Sequence, residues 1–350
     1  MTKLSEFRSD TFTLPDDAMR KVIYEAEVGN SAYGEDPSVR ALEEAMAEFF
    51  DREAALFFPS ATMAGQAAIA VWCQPAEQVI IEEYGHNYHF EAGSMALISS
   101  TQARPLVGRH GILQAEQLAA AIIPTEKSFI RTGLIVLENT SNFGGGTVYP
   151  QQTLAENYKV ASDHQLPVHI DGARIYNALQ YYRQADPGIS PSSLLPTHGS
   201  MSVCFSKGLG APMGAALIGS AEFIAEAERV RSLLGGMLRQ AGFMAAAALY
   251  GMQHNVERLL VDHDNAQFLA RELAALNGLS IDLDSVQTNM VYVDVDAGVD
   301  HAIELVAYLQ QQGVQVWNLG PRLRFVTSML VERRDCERAV KALSEALKTQ

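Results

Sequence analysis

The sequence is short of cysteine and of positive charge. Its three cysteines, Cys73, Cys204 and Cys336, are scattered along 350 residues. They have neither the density of a disulfide-stabilised domain nor the spacing of metal ligands, so we expect a reducing compartment and no metal site. With 26 Lys and Arg against 41 Asp and Glu, the formal net charge of -15 argues against non-specific binding to nucleic acid or to an anionic membrane.

The sequence also lacks a long apolar segment. Its first ten residues contain no apolar run of the kind that a signal peptide has, and the stretch from Phe243 to Met252 is too short to cross a bilayer. Hydrophobic residues still make up 48% of the chain, which suffices for a sizeable buried core. We therefore expect a cytoplasmic protein with one large core and a smaller domain attached.

Short apolar runs alternate with helical patterns through the first two thirds of the chain. This alternation predicts an α/β fold with a mostly parallel central sheet covered on both faces. The candidate strands are Ala54–Phe58, Gln78–Ile81, Leu134–Leu137, Val168–Ile170, Ser202–Phe205 and Ala215–Ile218, and the helices between them include Met63–Trp72 and Leu154–His164.

After about residue 250 the pattern changes. Asn255–Asn277 reads as one long helix, Met290–Asp296 alternates like a half-buried strand, and Arg338–Lys348 reads as a final helix. We predict two domains: residues 1–250 as an N-terminal arm with a large domain, and residues 251–350 as a small α+β domain.

Two polar side chains follow predicted strands where a ligand would bind. Asp171 ends the run Val168–Ile170, and ligands of open α/β sheets bind at the carboxyl ends of strands. Lys207 follows Ser202–Phe205 and precedes a glycine, which indicates a lysine drawn into the same crevice. Each has a plain alternative, because Asp is a common helix N-cap and lysine is usually exposed.

A third constellation follows the strand Ala54–Phe58. The small-residue turn Ser60–Ala61–Thr62 precedes an alanine-rich helix, and the free N–H groups of a helix N-terminus bind phosphate readily. The alternative is a simple N-cap by Ser60 or Thr62. A phosphate site, an acid and a lysine at three strand ends are the pattern expected for pyridoxal phosphate.

With these motifs the chain resembles the threonine aldolase family, within the aminotransferase-like (type I) pyridoxal-phosphate enzymes. The resemblance rests on Phe7-Arg8-Ser9-Asp10-Thr11, Val28-Gly29, Tyr33-Gly34-Glu35-Asp36-Pro37, Glu138-Asn139-Thr140, Asp171-Gly172-Ala173-Arg174, Ser206-Lys207-Gly208-Leu209-Gly210-Ala211-Pro212, Gly235-Gly236, Arg239-Gln240-Ala241-Gly242 and Arg324-Phe325-Val326-Thr327. It implies an aspartate-aminotransferase-like large domain, a small C-terminal α+β domain, and a homotetramer built as a dimer of dimers.

The resemblance also implies roles for individual residues. Lys207 would bind the cofactor covalently, Asp171 would pair with the ring nitrogen, and His86 would stack on the ring and act in catalysis. Around the cofactor it implies Ser60, Ala61, Thr62, Arg174, Ser206 and Arg239, with Arg239 reaching from a neighbouring subunit. For the substrate it implies Ser9, Tyr33, Arg174, Arg324 and Ser141, and Glu91 as a supporting partner.

The implied reaction is cleavage of a β-hydroxy-α-amino acid, with L-threonine or L-allo-threonine giving glycine and acetaldehyde. Three serines depart from the family pattern: Ser141 and Ser328 replace histidines, and Ser232 replaces a lysine. Ala61 also replaces a glycine of the phosphate turn. Our hypothesis is that the cofactor chemistry is kept while the preference for the β-substituent has changed, with His86 or a water as the base.

Three other functions remain open from the sequence. One is a β-eliminating lyase, or an aldolase for bulkier substrates such as phenylserine. Another is a non-catalytic, regulatory pyridoxal-phosphate-binding protein, although loss of Lys207, Asp171 or an arginine would have been its signature. A third is an α/β binding module that does not use pyridoxal phosphate.

Overall fold

The structure is a computed structural model and describes residues 4–124 and 128–348. Its strands are β1 (Ser5–Glu6), β2 (Ala54–Phe58), β3 (Gln78–Glu82), β4 (Gln102–Leu106), β5 (Thr132–Glu138), β6 (Val168–Gly172), β7 (Gly199–Cys204), β8 (Ala215–Gly219), β9 (Leu279–Ser280), β10 (Met290–Val295), β11 (Val314–Gln315), β12 (Trp317–Leu319) and β13 (Arg322–Val326).

Helices connect most of these strands. They are α1 (Asp17–Glu25), α2 (Pro37–Phe49), α3 (Ala61–Trp72), α4 (His86–His89), α5 (Ser94–Ser99), α6 (Ala115–Ala121), α7 (Gln151–Asp163), α8 (Ile175–Ala185), α9 (Ala221–Leu233), α10 (Gly242–His254), α11 (Leu259–Ala274), α12 (Val299–Gln311) and α13 (Arg333–Ala346). Short 3-10 turns add Asp10–Phe12, Ser31–Tyr33, Pro191–Leu194 and Leu283–Ser285.

The central sheet has seven strands in the order β2-β8-β7-β6-β5-β3-β4. The pairings from β4 to β7 are parallel, whereas β8 is antiparallel to both β7 and β2. Two reversals restore the direction, so β2 runs the same way as the parallel strands. The predicted mostly parallel α/β sheet is therefore confirmed.

The strands of this sheet are apolar because both of its faces are covered. Within β3, Ile80 packs into one hydrophobic core, while its neighbours Val79 and Ile81 pack into another on the opposite face. This alternation is the geometric consequence of a strand in which successive side chains point to opposite sides. The sheet is thus a rigid platform whose strand ends can hold functional groups.

A second, antiparallel sheet with the order β12-β13-β10-β9 lies in the last part of the chain. Together with α11, α12 and α13 it encloses a separate hydrophobic core, as the expected small α+β unit should. Phe7 belongs to this core, with its ring 5.6 Å from that of Phe325, and β1 pairs in parallel with β11. The predicted domain boundary between residues 250 and 251 falls inside α10.

Several predicted element bounds were wrong. The long helix predicted from Asn255 begins only at Leu259, because Asn255 ends α10 and its amide donates to the Leu209 carbonyl oxygen (2.8 Å). The strand predicted as Ser202–Phe205 is Gly199–Cys204, since its small residues pair along β6. The last helix begins at Arg333, after a capping box in which the Glu332 N–H donates to Asp335 (2.9 Å).

The half-buried pattern expected for Met290–Asp296 was also wrong. Four consecutive residues, Met290 to Val293, are buried. Tyr292, on the side expected to be open, is covered by the loop that follows β5, where its hydroxyl donates to the Asn142 carbonyl oxygen (3.1 Å).

Across residues 4–124 and 128–348, no helix is both long and apolar enough to span a membrane.

Candidate active site

Three neighbouring strands place their carboxyl ends side by side. The register aligns Glu138 of β5 with Asp171 of β6, and Asp171 with Ser202 of β7. Lys207 lies in the turn just after β7, which the Gly210 N–H closes on the Lys207 carbonyl oxygen (2.9 Å). The predicted acid and the predicted lysine therefore lie at one edge of the sheet, although 36 positions separate them in the chain.

The predicted phosphate turn is at the same edge, because β2 runs in the direction of the parallel strands. Ser60 is the N-cap of α3, and its hydroxyl accepts the Met63 N–H (3.2 Å). The N–H groups of Ala61 and Thr62 lie in the first turn and have no acceptor within the helix. Ser60 and Thr62 are exposed, so these donors face solvent.

His86 begins the short helix after β3 and is held by an acid. Its Nδ1 lies 2.9 Å from Oε1 of Glu91, which is buried and also accepts from Gln66 (2.6 Å) and Asn87 (3.2 Å). Burial alone would lower the pKa of His86, but the hydrogen bond to Glu91 and the charge of Asp171 outweigh it and raise that pKa. Because Nδ1–H donates to Glu91, Nε2 is the nitrogen left to accept a proton.

Arg174 forms a buried, two-pronged ion pair with Asp10. Its Nε and Nη2 each lie 2.7 Å from a carboxylate oxygen of Asp10, and Asn289 donates to the same carboxylate (3.2 Å). Burial would raise the pKa of Asp10, yet the Arg174 guanidinium, with smaller contributions from Lys207 and Arg324, holds it at about 2. Arg174 therefore forms a structural ion pair, and the sequence did not predict that Asp10 is its partner.

Arg324 is a buried guanidinium with an unsatisfied donor. Only 3% of the residue is exposed, and its Nε has no hydrogen-bond partner among the described residues. Burial lowers its pKa, and the neighbouring charge of Arg174 lowers it further against the opposing effect of Tyr292. Arg174 is paired with the Asp10 carboxylate and the neighbouring Arg324 is not, so the site attracts a second anion.

Glu138 was not singled out by the sequence, although its motif was. It is 9% exposed at the end of β5, and its carboxylate accepts the N–H groups of His86 (3.0 Å) and Asn142 (2.9 Å). Burial, together with the charge of Asp171, raises its pKa to about 7. A glutamate at the end of an apolar strand is the same signal that identified Asp171, and it could have been found in that way.

The remaining predicted residues form two groups, and the first consists of the serines Ser9, Ser141 and Ser206. Ser9 is buried beside Asp10 and caps the turn Asp10–Phe12. Ser141 is buried after β5, where its hydroxyl accepts the Gly144 N–H (3.2 Å), and the Ser206 hydroxyl lies 3.3 Å from the Cys204 sulfur.

Tyr33 and Arg239 lie together elsewhere, since the Ser31 N–H donates to the Arg239 carbonyl oxygen (2.8 Å). Both are exposed, Tyr33 by 78%. Within the part of the chain that the structure describes, neither side chain makes a hydrogen bond, ion pair or ring contact with the residues around Lys207. That Arg239 reaches into a neighbouring subunit's site stays a prediction.

Aromatic rings extend from His86 towards Tyr292. Phe90 lies 5.9 Å from the His86 ring and stacks on Phe143 at 4.6 Å, and Phe143 lies 6.5 Å from the Tyr292 ring (all centroid distances). Tyr292 is the cross-strand partner of Arg324. The rings of Phe90, Phe143 and Tyr292, which we call the aromatic wall, thus connect the histidine side of the site with the arginine side.

These residues fit pyridoxal phosphate. The N-terminus of α3 supplies donors for a phosphate, the buried carboxylate of Asp171 suits a protonated ring nitrogen, and Lys207 supplies the amine. Thr140 Oγ1 and Asn142 Oδ1, which follow β5, are buried without a hydrogen-bond partner among residues 4–124 and 128–348. No group of three His, Cys, Asp or Glu in those residues could hold a metal ion.

Comparison with known proteins gives a consistent result. A family model described as beta-eliminating lyase matches residues 6–296. A low specificity L-threonine aldolase of Escherichia coli (strain K12) is 38% identical over 94% of this chain and 95% of its own length. Low-specificity L-threonine aldolase 1 of Arabidopsis thaliana is 34% identical over 98% of this chain and 96% of its own.

Solved structures agree on the fold. A putative L-allo-threonine aldolase from Listeria monocytogenes EGD-E superposes with a TM-score of 0.81 at 19% identity, over 98% of this chain and 97% of that one. A Leishmania major threonine aldolase superposes with a TM-score of 0.83 at 18% identity, over 98% and 99%. At such identities the likeness bears on the fold alone.

Proposed function

The chain belongs to the beta-eliminating lyase family, and on that premise we propose that it is a pyridoxal-phosphate-dependent aldehyde-lyase. It cleaves L-threonine or L-allo-threonine to glycine and acetaldehyde. The observation that carries this proposal is Arg324, a buried guanidinium beside the paired Arg174 whose Nε has no hydrogen-bond partner in residues 4–124 and 128–348. An amino-acid carboxylate is the anion that such a site recognises, and the relatives of highest identity described above are named as threonine aldolases.

The residues that we propose to bind the cofactor lie at the ends of strands. Pyridoxal phosphate, when bound, accepts the electron pair that is released at the substrate's Cα. Lys207 would hold it covalently through its side-chain amine. Asp171, buried at the end of β6, keeps the ring nitrogen protonated, and the Ser60–Thr62 turn binds the phosphate, with Ser206 beside it.

The arginines select which bond breaks. Arg324 grips the substrate carboxylate through its planar donor fork, while the Asp10 carboxylate fixes Arg174 from the other side. A carboxylate held by Arg324 would leave the substrate few orientations, so the protein would fix which bond at Cα is placed to break. Placing the Cα–Cβ bond in that position favours loss of the aldehyde over decarboxylation or transamination.

His86 receives the proton of the substrate's β-hydroxyl. Glu91 holds Nδ1, so Nε2 is free to accept that proton when the Cα–Cβ bond breaks and the aldehyde leaves. Cα then takes up a proton to give glycine. Ser141, whose hydroxyl already accepts the Gly144 N–H, is a less suitable base because a serine hydroxyl needs a partner to act at neutral pH.

A second candidate is an aldolase for β-hydroxy amino acids with an aromatic β-substituent, such as phenylserine. The aromatic wall favours it, because stacked Phe90 and Phe143 beside His86 provide an apolar surface next to the proposed base. An aromatic ring packs well against such a surface in an edge-on or offset arrangement. The methyl group of threonine would use little of this area.

Aldehyde release from L-threonine, L-allo-threonine and phenylserine tests these proposals, with Lys207→Ala as the inactive control. Ammonia and a keto acid in place of glycine would mean β-elimination. No turnover of any of the three, with cofactor absorbance retained, would indicate a non-catalytic pyridoxal-phosphate-binding protein. Borohydride trapping of the cofactor on Lys207 excludes an α/β module that does not bind it.

We also propose the assembly and setting. The enzyme is a cytoplasmic homotetramer, a dimer of dimers in which the exposed Tyr33 and Arg239 complete a neighbour's site, and it acts in threonine breakdown and glycine formation. Two separate hydrophobic cores support a division into two domains, residues 1–250 and 251–350, with Phe7 of the N-terminal arm packed into the second core and Val256 and Leu259 packed into the first. Light scattering measures the assembly. Recovery of activity on mixing inactive Lys207→Ala and Arg239→Ala proteins would support a shared site.

A further inference from the structure

Glu138 joins two loops that border the candidate site. Its Oε2 accepts the N–H of His86 (3.0 Å), at the start of α4, and its Oε1 accepts the N–H of Asn142 (2.9 Å), in the loop after β5. The residue itself is 9% exposed and lies next to Asp171 in the sheet register. Both contacts are to backbone atoms, so Glu138 acts on the position of these loops and not on their side chains.

The two loops carry residues from both sides of the candidate site, so the distance between the loops is important. The first loop carries His86 and Phe90, and the second carries Phe143, which stacks on Phe90 at 4.6 Å. Asn142 also fixes the second loop to the arginine side of the site, because its carbonyl oxygen accepts the Tyr292 hydroxyl (3.1 Å). A carboxylate that bridges the two backbones sets the distance between the base and the opposite wall.

We propose that Glu138 is a positioning residue: by holding the backbones of His86 and Asn142 together, it fixes where the β-hydroxyl and the β-substituent of the substrate lie. This proposal rests on the proposed function. In this role Glu138 neither touches the substrate nor replaces the histidine missing at Ser141. It acts through the His86 loop on one side and through the aromatic wall on the other.

The electrostatic surroundings make this bridge sensitive to pH. Two N–H donors require two acceptor oxygens, and protonation would turn one oxygen into a hydroxyl that faces a donor. Burial and the Asp171 charge raise the pKa of Glu138 to about 7, so the bridge weakens as the pH falls through that range. The titratable and charged groups that influence Glu138 are Asp171, His86, Arg174, Arg324, Tyr149 and Tyr292.

Glu138→Gln tests the proposal, because glutamine keeps the shape but presents an NH₂ group to one of the two N–H donors. Glu43→Gln is the matched control: burial also raises the pKa of Glu43 to about 7, and its carboxylate accepts a backbone N–H from Phe57 (2.8 Å). Glu43 lies on α2, which packs on β2. Should Glu138→Gln fail to fold, Glu138→Asp keeps both oxygens on a side chain shorter by one methylene and serves in its place.

The first measurement is amide hydrogen exchange of the holoenzyme, read in peptides that cover residues 84–91 and 140–147. We expect exchange in these two segments to be about ten-fold faster in Glu138→Gln, because each amide that loses its acceptor opens more easily. Glu43→Gln should leave both segments unchanged. Equal exchange of both segments in Glu138→Gln and the parent would overturn the proposal.

The second measurement is the pH profile of kcat/KM for L-threonine. Glu138→Gln should lower kcat/KM by roughly 10- to 100-fold with cofactor absorbance retained. Its acidic limb should move to lower pH, because the carboxylate whose protonation near pH 7 breaks the bridge is gone. In Glu43→Gln the limb should stay in place, so a general effect of a buried carboxyl is distinguishable. An unmoved limb in Glu138→Gln would count against positioning.

The two measurements separate the possible failures. Lost activity with unchanged exchange would mean that Glu138 acts on the substrate itself, and faster exchange with unchanged activity would mean that the loop separation is unimportant. Either result overturns the proposal. If the parent enzyme cleaves no β-hydroxy amino acid, the proposed function fails, and the exchange experiment alone decides whether Glu138 holds the loops.

Discussion

Asp10→Asn should unfold more easily than the parent, because it leaves Arg174 buried without a carboxylate. Asp10 is fully buried, and both of its oxygens lie 2.7 Å from the Arg174 guanidinium. Removing one partner of such a pair typically costs about 3–5 kcal/mol, since the other charge stays out of water. The nearby guanidinium of Arg324 cannot compensate, because it carries the same sign.

The lowered pKa of Asp10 gives a second value for the contribution of this ion pair to stability. A shift of the Asp10 pKa from its ordinary 3.8 to about 2 corresponds to roughly 2 kcal/mol of stability that the charged carboxylate contributes. The folded pKa is the lower one, so this contribution is complete above pH ~4 and is lost as the pH falls through about 2. The difference in stability between Asp10→Asn and the parent should therefore disappear in that acidic range.

Urea unfolding at one fixed protein concentration, at pH 7 and below pH 4, measures both effects. The control is Asp294→Asn, which breaks an ion pair with Arg322 of the same two-pronged geometry (2.7 and 2.9 Å) but about half exposed. That change should cost about 0–1 kcal/mol. Equal losses from the two substitutions would refute the argument that burial makes the Asp10 pair strong.

Three further predictions concern turnover. Arg324→Met should lower kcat/KM for L-threonine by roughly 100-fold through a higher KM, because its guanidinium has an unsatisfied buried donor, whereas Arg322→Met should stay within about two-fold; steady-state kinetics of the pair would contradict this if both fell alike. His86→Phe should lower kcat by about 10²- to 10⁴-fold in a coupled acetaldehyde assay, since phenylalanine can stack but cannot take a proton, and cleavage equal to that of the parent would remove His86 as the base. Phe143→Ala should lower the ratio of kcat/KM for phenylserine over L-threonine by roughly three- to ten-fold, as competition between the two substrates would measure, and an unchanged ratio would remove the aromatic wall from specificity.

The sequence predicted the sheet well where strands are buried on both faces. Apolar runs such as Ala54–Phe58 coincide with β2, because a covered strand needs apolar residues throughout. The edge strand β4 went unnoticed, since much of Gln102–Leu106 is exposed and it contains Pro105, which only an edge strand tolerates. Sequence patterning records burial, and β4 has little of it, whereas β2 at the other edge of the sheet is buried and was found.

The candidate site was predictable where a local motif carries it. Asp171 and Lys207 come at the ends of apolar strands in the sequence, so their position at the carboxyl ends of the strands could be predicted. The pairing of Asp10 with Arg174 is different, because it joins residues 164 positions apart and has no local pattern. The part of Tyr33 and Arg239 in a neighbouring subunit's site stays a prediction, since it depends on contacts between two copies of the chain.

The pairing of β1 with β11 has a consequence for how the protein is made. The chain's first strand finds its partner only near the end, and the Ser5 hydroxyl donates to Asp335, 330 positions further on (2.7 Å). During synthesis the central sheet can therefore assemble while the N-terminal segment still has nothing to pair with. Asp10, five residues beyond Ser5, reaches its native position beside Arg174 only when the last strands have left the ribosome. A nascent chain is thus expected to stay inactive until translation is almost complete.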